Sequence, residues 1–370
     1  MLKYIIISLL SLAALLSCAR QGSVVNMASS QEYARLFDIV KKDSLTGIVV
    51  IQARPKSSKN FWSVPGRDEI SNRSNSDTLW FDQPMDRLIC MSSSHVAALS
   101  AIGADKHIIA VSGLKYISDQ DLKRNGVKDI GYDAALDYEA ILELQPDLLV
   151  TYAVTGAEPA YVSKLRSLGV RTLVLHDHLE QHPLARAEYV RLFGALTGRN
   201  AVADSVYGAV RDRYLELTAT VDCTAKAKVL INIPYGDAWY IPGQDGYMSQ
   251  LVRDAGGEIL GAVPGESASS VVSLEQAYEY SLEADLWLNP GSCRTRAELA
   301  AAHHMFPRFG PMSKGLPIYN NIRCVNEGGG NDFWESGAVR PDLILEDLIS
   351  VMNHAKGGEP EESLYYYEGL

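Results

Sequence analysis

Short apolar runs alternate with helical stripes along most of the chain, and this pattern is typical of an α/β fold. Apolar runs predict strands over residues 87–91, 107–111, 147–150 and 170–175. Between them, apolar positions at helical spacing predict helices over 95–102, 138–144 and 161–168. Strands that alternate with helices pair in parallel, so the pattern predicts a parallel sheet with helices on its faces.

Two helical stripes follow, and the second is long. Apolar residues at three-residue steps predict one helix over 184–196, broken by Gly198. The next helix is predicted over about 200–221, with Val202, Val206, Val210, Tyr214 and Leu217 on one face. Its 22 residues would span ~33 Å, which is long enough to join two lobes along their backs.

The strand–helix alternation then starts again. Strands are predicted over 228–233, 285–288 and 317–319, and helices over 247–255, 274–280 and 339–354. Each half also contains a Glu-led helix followed by an Asp and an apolar strand, with Glu139 before Asp147 and Glu275 before Asp285. This faint repeat predicts two similar parallel-sheet lobes bridged by one long α-helix, with a ligand cleft at the carboxyl ends of both sheets.

The N-terminus carries the pattern of an export signal. After Lys3, residues 4–16 hold no charge, and a helix of that length, ~20 Å, is too short to cross ~30 Å of hydrocarbon. Leu15-Leu16-Ser17-Cys18 resembles a bacterial lipobox, in which the signal is cut before a cysteine that then carries lipid. The alternative is a plain secretory signal with a chance cysteine. No later run approaches ~20 apolar residues, so the lipid is the only predicted membrane contact.

These patterns together predict the division of the chain. The predicted segments are a signal peptide (1–17), a lipidated tether (18–30), a small β extension (31–81) with strands at 48–51 and 78–81, lobe 1 (82–198), the bridging helix (199–222), lobe 2 (223–356) and an acidic surface tail (357–370).

Charge and cysteine content exclude some classes of protein. The 370 residues carry 45 acids against 34 bases, a formal charge of −11, which argues against a nucleic-acid partner. Loss of Lys3 with the signal would make the charge −12, since 33 − 45 = −12. The remaining cysteines, Cys90, Cys223, Cys293 and Cys324, show no CxxC spacing. We expect small core residues there, although an exported chain allows pairing.

Several segments in order resemble the solute-binding lipoproteins of ABC importers for ferric siderophores, haem and vitamin B12. The segments are residues 87–95, 129–133, 137–148, 243–248, 328–334 and 340–343, and the likeness covers about residues 86–355. The resemblance implies two α/β lobes, a rigid bridging helix and a partner, the permease dimer with its ATPase subunits. It also implies that Glu139 and Glu275 dock onto basic pockets of that dimer. The alternative is that each is a solvated acid favoured by a helix N-terminus.

Aromatic and amide residues at strand ends are the candidate ligand contacts. The set is Tyr116, Tyr132 and Tyr152 in lobe 1, and Trp239, Tyr240, Asn320, Asn321, Asp332 and Trp334 in lobe 2. As a group they suit a large, partly apolar ligand, although each alone is explained as well by packing. If Lys115, Arg294 and Arg296 face the cleft, an anionic iron chelate is favoured. Haem would need an axial ligand, for which Tyr116, Tyr240 and His95 are candidates.

Other classes fit less well. His176, His178 and His182, and the His303-His304-Met305 run, suggest a bare-metal importer protein, but no His-rich loop accompanies them. The sequence has no GxSxG, HExxH or GxxxxGK[ST] motif, so no catalytic residue, resident metal or cofactor is predicted, although some binding folds acquire hydrolase activity. The favoured hypothesis is a monomeric, lipid-anchored periplasmic receptor for an iron(III) chelate. A corrinoid or haem is the alternative ligand.

Overall fold

The computed structural model describes residues 31–370 except 43, 52–53, 57–60, 64–77, 133–134, 154–157, 223 and 362. The predicted signal peptide, Cys18 and the tether therefore lie outside the described residues, as does Cys223. None of the helices in the described part of the chain is long and apolar enough to cross a membrane.

The described strands are β1 Phe37–Lys42, β2 Leu45–Val50, β3 Arg54–Lys56, β4 Phe61–Ser63, β5 Thr78–Phe81, β6 Leu88–Cys90, β7 Ile108–Val111, β8 Lys128–Asp129, β9 Leu148–Tyr152, β10 Thr172–Leu175, β11 Ala227–Ile231, β12 Trp239–Ile241, β13 Gly257–Ile259, β14 Ser270–Val272, β15 Leu286–Leu288, β16 Ile318–Asn320 and β17 Glu368–Gly369.

The described α-helices are α1 Ser93–Ala101, α2 Gln120–Arg124, α3 Tyr138–Leu144, α4 Ala160–Ser167, α5 Pro183–Ala187, α6 Tyr189–Thr197, α7 Asn200–Ala219, α8 Tyr247–Asp254, α9 Leu274–Glu283, α10 Arg296–Ala302, α11 Gly310–Ser313 and α12 Pro341–Ala355. Short 3₁₀ turns at Leu114–Tyr116, Asp177–Leu179 and Ser336–Ala338 follow strands or precede helices near the lobe interface.

Each lobe holds one five-stranded sheet with helices on its faces, which confirms the predicted fold class. The sheet of lobe 1 has the order β10-β9-β6-β7-β8 and is parallel throughout. The sheet of lobe 2 has the order β13-β11-β15-β16-β17 and is parallel except for the last strand. In each sheet, successive strands are first added on one side of the first strand and then on its other side. The change of side falls between β6 and β9 in lobe 1 and between β11 and β15 in lobe 2. Open α/β sheets bind ligands outside the carboxyl ends of the strands at such points.

Helix α7 joins the two cores, as predicted. The residues that it buries differ in part from those of the predicted apolar stripe. Ala203, Tyr207 and Val210 pack into the core of lobe 1, and Tyr214 packs into that of lobe 2. Val202, which the stripe placed on the buried face, is 39% exposed. The buried face therefore starts at Ala203, one position along the helix. At 20 residues the helix is ~30 Å long.

The single helix predicted over 184–196 is two helices, α5 and α6, which meet at Glu188. The side chain of Glu188 is fully buried and accepts hydrogen bonds from the backbone N–H groups of Glu32, Tyr33 and Ala34 at 2.7–2.8 Å. Glu180 accepts two more, from Arg35 and Leu36. These two acids fix an N-terminal strap (residues 32–36) to lobe 1.

The strap leads into the small β extension. Strands β1, β2 and β5 form an antiparallel sheet, with Phe37 opposite Val50 and Thr46 opposite Phe81. Phe37, Ile48 and Phe81 join the core of lobe 1. The predicted strands at 48–51 and 78–81 are therefore present, and the sheet lies against lobe 1 because its alternating apolar residues need cover.

The predicted acidic surface tail is wrong for its last seven residues. Leu364, Tyr366 and Tyr367 are buried in the core of lobe 2, and β17 pairs antiparallel with β16. Asp347 of α12 accepts the backbone N–H groups of Tyr365, Tyr366 and Tyr367. Aromatic burial outweighs the acidic composition on which the prediction rested.

Two of the described cysteines are core residues, as expected. Cys90 and Cys293 are buried, Cys324 is half-buried, and all three are free thiols. Burial raises the pKa of the Cys90 thiol to about 12, so this thiol remains protonated at neutral pH.

Candidate ligand-binding cleft

A cavity of about 460 Å³ lies between the lobes at the carboxyl ends of both sheets. Lobe 1 contributes the segment that follows β10, including His178, and Arg186 of α5. Lobe 2 contributes Pro242, Tyr247 at the start of α8, residues 267–269 and Trp334. The volume is within the ordinary range for small-molecule sites, roughly 300–1,000 Å³.

Close backbone packing forms the wall of lobe 2. A Cβ on Gly243 would lie 2.2 Å from the carbonyl oxygen of Glu266, and one on Gly246 would lie 2.7 Å from that of Ser267. Only glycine permits these approaches. These close approaches pack the loop before α8 against residues 266–268, and both segments line the cavity.

Arg186 is the cation at the cleft, and the sequence did not single it out. Its guanidinium lies 3.7 Å from Oδ2 of Asp177 and over the ring of Tyr247 at 4.9 Å. Its side chain is only 10% exposed. A charge with so little water around it interacts strongly with an anion that enters the cavity.

Asp177 is buried beneath the cleft and remains ionised. Burial raises its pKa, but the adjacent His95 imidazole, whose Nε2 lies 3.5 Å from Oδ1, and the charge of Arg186 outweigh that effect and hold the pKa well below its usual range. The Ser94 hydroxyl also donates to Asp177 at 3.0 Å. Ser94 and His95 thus contact the same carboxylate, which differs from the Ser–His–Asp order of a hydrolase triad.

The predicted tyrosines of lobe 1 lie at strand ends. Tyr132 is 53% exposed and its ring lies 5.7 Å from that of half-buried Tyr116. The ammonium of Lys115 sits over the Tyr116 ring at 4.7 Å. Tyr152, at the end of β9, faces the His178 ring edge-on at 6.5 Å. These side chains stand at the carboxyl-end rim of the lobe 1 sheet (the lobe 1 lip), and their contact with ligand stays a prediction.

The predicted residues of lobe 2 divide into two groups. Trp334 lines the cleft and is 47% exposed, and Tyr240 is 42% exposed on the β12–β14 pair. Trp239, by contrast, is a core residue that is 1% exposed and stacks on Phe309 and Trp287. Its predicted ligand role is wrong, because its neighbour on the strand, Tyr240, takes the outward face.

The two asparagines are also structural. Asn320 is fully buried and donates to the carbonyl oxygens of Gly291 and Cys293 at 2.9 and 2.8 Å. Asn321 is 6% exposed, and its carbonyl oxygen accepts a hydrogen bond from the Asn331 amide. The Asn320 side chain satisfies loop backbone groups after β15, and Asn321 is buried beside it, so their predicted contact with ligand is wrong.

Asp332 borders a different cavity. This space, of about 640 Å³, lies between α1, α7 and the start of α12, on the far side of the 332–336 segment from Trp334. Both oxygens of Asp332 bond to Ser336, Oδ1 to its N–H and Oδ2 to its hydroxyl. The structure therefore separates Asp332 from Trp334, although they are two residues apart.

The arginines named for the cleft fix the C-terminus instead. Arg294 donates to Glu368 at 2.8 Å, and Arg296 donates to the carbonyl oxygens of Leu370 and Leu316 at 3.0 and 2.6 Å. The hypothesis that they meet the ligand is wrong, because both are engaged at the β17 edge of lobe 2.

The proposed docking acids occupy equivalent positions. Glu139 is the second residue of α3 and Glu275 the second of α9, and both are exposed. Helix α3 joins β8 to β9 and α9 leads from β13 to β15, so each crosses the point where its sheet reverses. Hydrogen bonds from its own backbone N–H and from Ser273 lower the pKa of Glu275.

The histidines give little support to a metal site. Among the described residues, no group of three or more His, Cys, Asp or Glu side chains is arranged to hold a metal ion. His303 and His304 stack on each other at 4.4 Å. His95 is 1% exposed and pairs with Asp177, so it is not available as an axial haem ligand.

The missed cleft residues had weak sequence signals. Tyr247 lies in the 243–248 segment and His178 is the third residue after a predicted strand, near the strand end that favours a site. Arg186 lies outside the apolar stripe of its predicted helix. A basic residue at such a position is ordinarily interpreted as solvent-exposed. Only its contacts with Asp177 and Tyr247 distinguish it.

Comparison with known proteins gives a family and a fold. A family model described as periplasmic binding protein matches residues 88–303, more than half of the chain. An uncharacterised lipoprotein of Methanocaldococcus jannaschii is 23% identical over 284 residues, which is 73% of this chain and 66% of the relative, so the chain spans just under two thirds of that protein.

Solved structures share the fold. A possible iron-binding (periplasmic solute-binding) protein of Staphylococcus epidermidis superposes with a TM-score of 0.57 at 17% identity, covering 73% of this chain and 99% of that one. A periplasmic haem-binding protein of Pseudomonas aeruginosa superposes with a TM-score of 0.58 at 17% identity, covering 77% and 98%. The two likenesses are equal in strength, so they do not discriminate between ligands.

Proposed function

The chain belongs to the periplasmic binding protein family, and from that premise we propose that it binds an anionic iron(III) chelate between its lobes and delivers it to an ABC permease. The observation that carries the ligand class is the nearly buried Arg186 guanidinium at a cavity with aromatic walls.

The electrostatics of the cleft favour an anion. Asp177 keeps Arg186 in place at 3.7 Å but contacts only one side of the guanidinium, while Tyr247 covers its face. A ligand carboxylate or catecholate oxygen would be a second acceptor for the same fork of donors. A neutral corrinoid has no net negative charge for this cation to balance.

The aromatic walls favour a ligand with a flat apolar body. Trp334 and Tyr247 from lobe 2 stand opposite His178, with Tyr152 behind it. Aromatic rings supply large contact area with few rotatable bonds. Catecholate rings chelating iron match this combination of flat walls and one cation.

Haem is the second candidate, and His178 is the observation that favours it. Its imidazole lines the cleft 6.5 Å from the Tyr152 ring, and haem iron takes His or Tyr as an axial ligand. Haem propionates could also meet Arg186. A corrinoid remains the third candidate.

Ligand titrations with matched variants test the proposal. Quenching of intrinsic fluorescence by an iron(III) tris-catecholate complex, haemin and cyanocobalamin gives three affinities. We expect the iron complex to bind most tightly and Arg186→Lys to weaken it about 10- to 100-fold, because the bidentate fork is lost. Arg166→Ala, which removes an exposed ion pair with Glu158, is the control.

The alternatives give different results in the same titration. Tightest binding of haemin, lost in His178→Ala, would establish haem. Cyanocobalamin bound most tightly and unaffected by Arg186→Lys would overturn the anionic-ligand proposal. Conversion of any probe to a product would identify an enzyme.

We propose further that Glu139 and Glu275 dock onto the permease dimer with its ATPase subunits. Two exposed acids on equivalent crossover helices fix orientation as well as attraction. Double reversal, Glu139→Lys with Glu275→Lys, should abolish uptake and leave ligand affinity unchanged. The control reverses Glu143 and Glu279, one helical turn further along the same helices and also exposed. Equal uptake by the two double variants would contradict the docking roles.

Lipid attachment at Cys18 is part of the proposal. The mature protein would then be a periplasmic monomer held to the membrane by lipid. In Cys18→Ser we expect the protein to move from the membrane fraction to the soluble fraction, because the thiol that carries lipid is gone. Retention in the membrane fraction would indicate another anchor.

A further inference from the structure

Besides helix α7, one segment of lobe 2 joins the lobes by contacting the backbone of lobe 1. The Asn326 side-chain amide donates to the carbonyl oxygens of Tyr116 and Ile117 at 3.2 and 3.1 Å. The Ser118 N–H donates to both carboxylate oxygens of Glu335, at 3.0 and 2.9 Å. These contacts, with Gly328 and Gly330, form an interlobe clasp (residues 326–335 against 115–118).

Two glycines of the clasp are required by this approach. A Cβ on Gly330 would lie 1.8 Å from the carbonyl oxygen of Tyr116, and one on Gly328 would lie 2.1 Å from that of Lys115. Both glycines have ordinary backbone angles that any residue adopts. Glycine is therefore required at both positions because the backbone of lobe 1 lies so close, and not because of the backbone conformation. The clasp cannot widen without breaking several of these contacts together.

The clasp connects the two lips of the cleft. Trp334 precedes Glu335 and lines the cavity, and Tyr116, two residues before Ser118, follows β7 at the carboxyl-end rim of the lobe 1 sheet. We propose that Glu335 is a positioning residue that ties these lips together and thereby sets the width of the ligand cleft. The contacts of Trp334 and Tyr116 with ligand rest on the proposed function; the clasp itself does not.

The surroundings of Glu335 make the clasp sensitive to pH. Burial, with a smaller contribution from the charge of Asp332, raises its pKa to about 7, against hydrogen bonds from Ser118 and Asp119 that lower it. The other charged groups around the adjoining cavity are Asp119 of the α2 cap, Arg213 of α7, and Arg340 and Asp342 at α12. Both arginines contact Asp342, and Arg340 does so through two hydrogen bonds.

The direction of the pH effect follows from the two pKa values of Glu335. In the clasp the pKa is about 7, and in an opened form exposed to water it returns towards its ordinary 4.5. Closing therefore takes up a proton, so this contribution to the clasp is fully present below about pH 4.5 and is lost as the pH rises through 7. Between pH 6 and pH 8 the closing equilibrium should fall about tenfold.

Amide hydrogen exchange at Ser118 in the ligand-free full chain tests this proposal. After correction for the intrinsic rate, protection of this amide should fall about tenfold from pH 6 to pH 8 in the wild-type protein. Glu335→Gln, a neutral isostere, should stay protected at both pH values, and Glu335→Ala should lose protection at both. A wild-type profile without pH dependence, or full protection in Glu335→Ala, would overturn the proposal.

Two Gly→Ala variants test the close backbone approach in the clasp separately from its pH dependence. Gly330→Ala should lower protection of the Ser118 amide at least tenfold, because the new methyl group forces the lobes apart. Gly208→Ala, in α7 with open space around it, should leave that protection unchanged. Equal protection in the two variants would contradict the clasp. Because these measurements contain no ligand, failure of the iron-chelate proposal is distinguishable from failure here.

The consequence for ligand is measured last. With the iron(III) tris-catecholate probe, dissociation should accelerate with rising pH in the wild-type protein and stay slow in Glu335→Gln. Identical pH profiles in both would show that Glu335 does not set the cleft width. A merely structural role would change stability without removing the pH dependence.

Discussion

The two described ends of the chain are fixed to different lobes by the same kind of contact. On lobe 1, Glu188 accepts three consecutive backbone N–H groups of the N-terminal strap, at 2.7–2.8 Å. On lobe 2, Asp347 accepts three consecutive N–H groups before β17, at 2.7–3.1 Å. In each case a buried carboxylate replaces the water that a chain end would otherwise bind.

The two contacts differ in charge compensation. Glu188 pairs with Arg191 at 2.8 Å. No ion pair to Asp347 is present among the described residues, and burial raises its pKa. The C-terminal segment instead brings Tyr366 and Tyr367 into the core. The comparison shows that lobe 1 holds its strap mainly by charge and hydrogen bonds, while lobe 2 holds its last strand mainly by apolar burial.

Removal of the Glu188 carboxylate should have the largest effect. In Glu188→Ala, three backbone donors lose their acceptor and Arg191 loses its buried partner, which should lower the free energy of unfolding by about 3–5 kcal/mol. Urea unfolding of the full chain measures this. The control is Asp204→Ala, the exposed partner of Arg191. A loss below about 1 kcal/mol would mean that the strap contributes little.

Removal of the Asp347 carboxylate should cost less. Asp347→Ala should lower the free energy of unfolding by about 2–3 kcal/mol, because donors become unsatisfied but no cation is left unpaired. Asp347→Asn, which keeps one acceptor oxygen, should be tolerated better than Glu188→Gln. The neighbouring exposed acid gives the control, Glu346→Ala. If Asp347→Asn and Glu188→Gln lower the free energy of unfolding equally, charge compensation does not distinguish the two lobes.

Acidification should strengthen the strap contact at Glu180. Burial raises the pKa of Glu180 to about 7, with Glu188 adding repulsion and the N–H groups of Arg35 and Leu36 opposing the rise. The native state therefore binds a proton that the unfolded state releases above 4.5, so stability falls as pH rises from 5 to 8, by about 2 kcal/mol. Unfolding of Glu180→Gln in a Glu335→Gln background isolates this contribution. An unchanged slope would exclude Glu180 as its source.

The ion pair at β17 should matter least. Arg294 and Glu368 meet at 2.8 Å, but the arginine is 48% exposed. Glu368→Gln should change the free energy of unfolding by less than about 0.5 kcal/mol, since exposed pairs are screened by water. Leu364→Ala, which truncates a buried side chain of the same segment, is the comparison and should cost about 2–5 kcal/mol. A larger loss in Glu368→Gln would mean that charge, not burial, holds this end.

Predictions of single elements from local pattern mostly hold, apart from the helix over 184–196 and the C-terminal tail, and predictions of functional residues hold less often. Helix α3 matches its predicted bounds, and the Glu-led repeat correctly indicated two lobes, because apolar periodicity within a segment marks where helices and strands lie. Trp239 and Tyr240 show the limit. Both follow the same pattern, yet one is core and the other exposed, since alternation along a strand does not say which face the core covers.

The sequence alone therefore determined the α/β class, the bridging helix and the family resemblance, because these depend on spacing within short segments. Tertiary structure decided the chemistry of the cleft and of the chain ends. Arg186 acquires its proposed role from Asp177 nearby and from Tyr247 on the other lobe, and Glu335 acquires its proposed role from Ser118, 217 positions away. Burial and charge are properties of such distant contacts, and no local pattern encodes which polar residues they bring together.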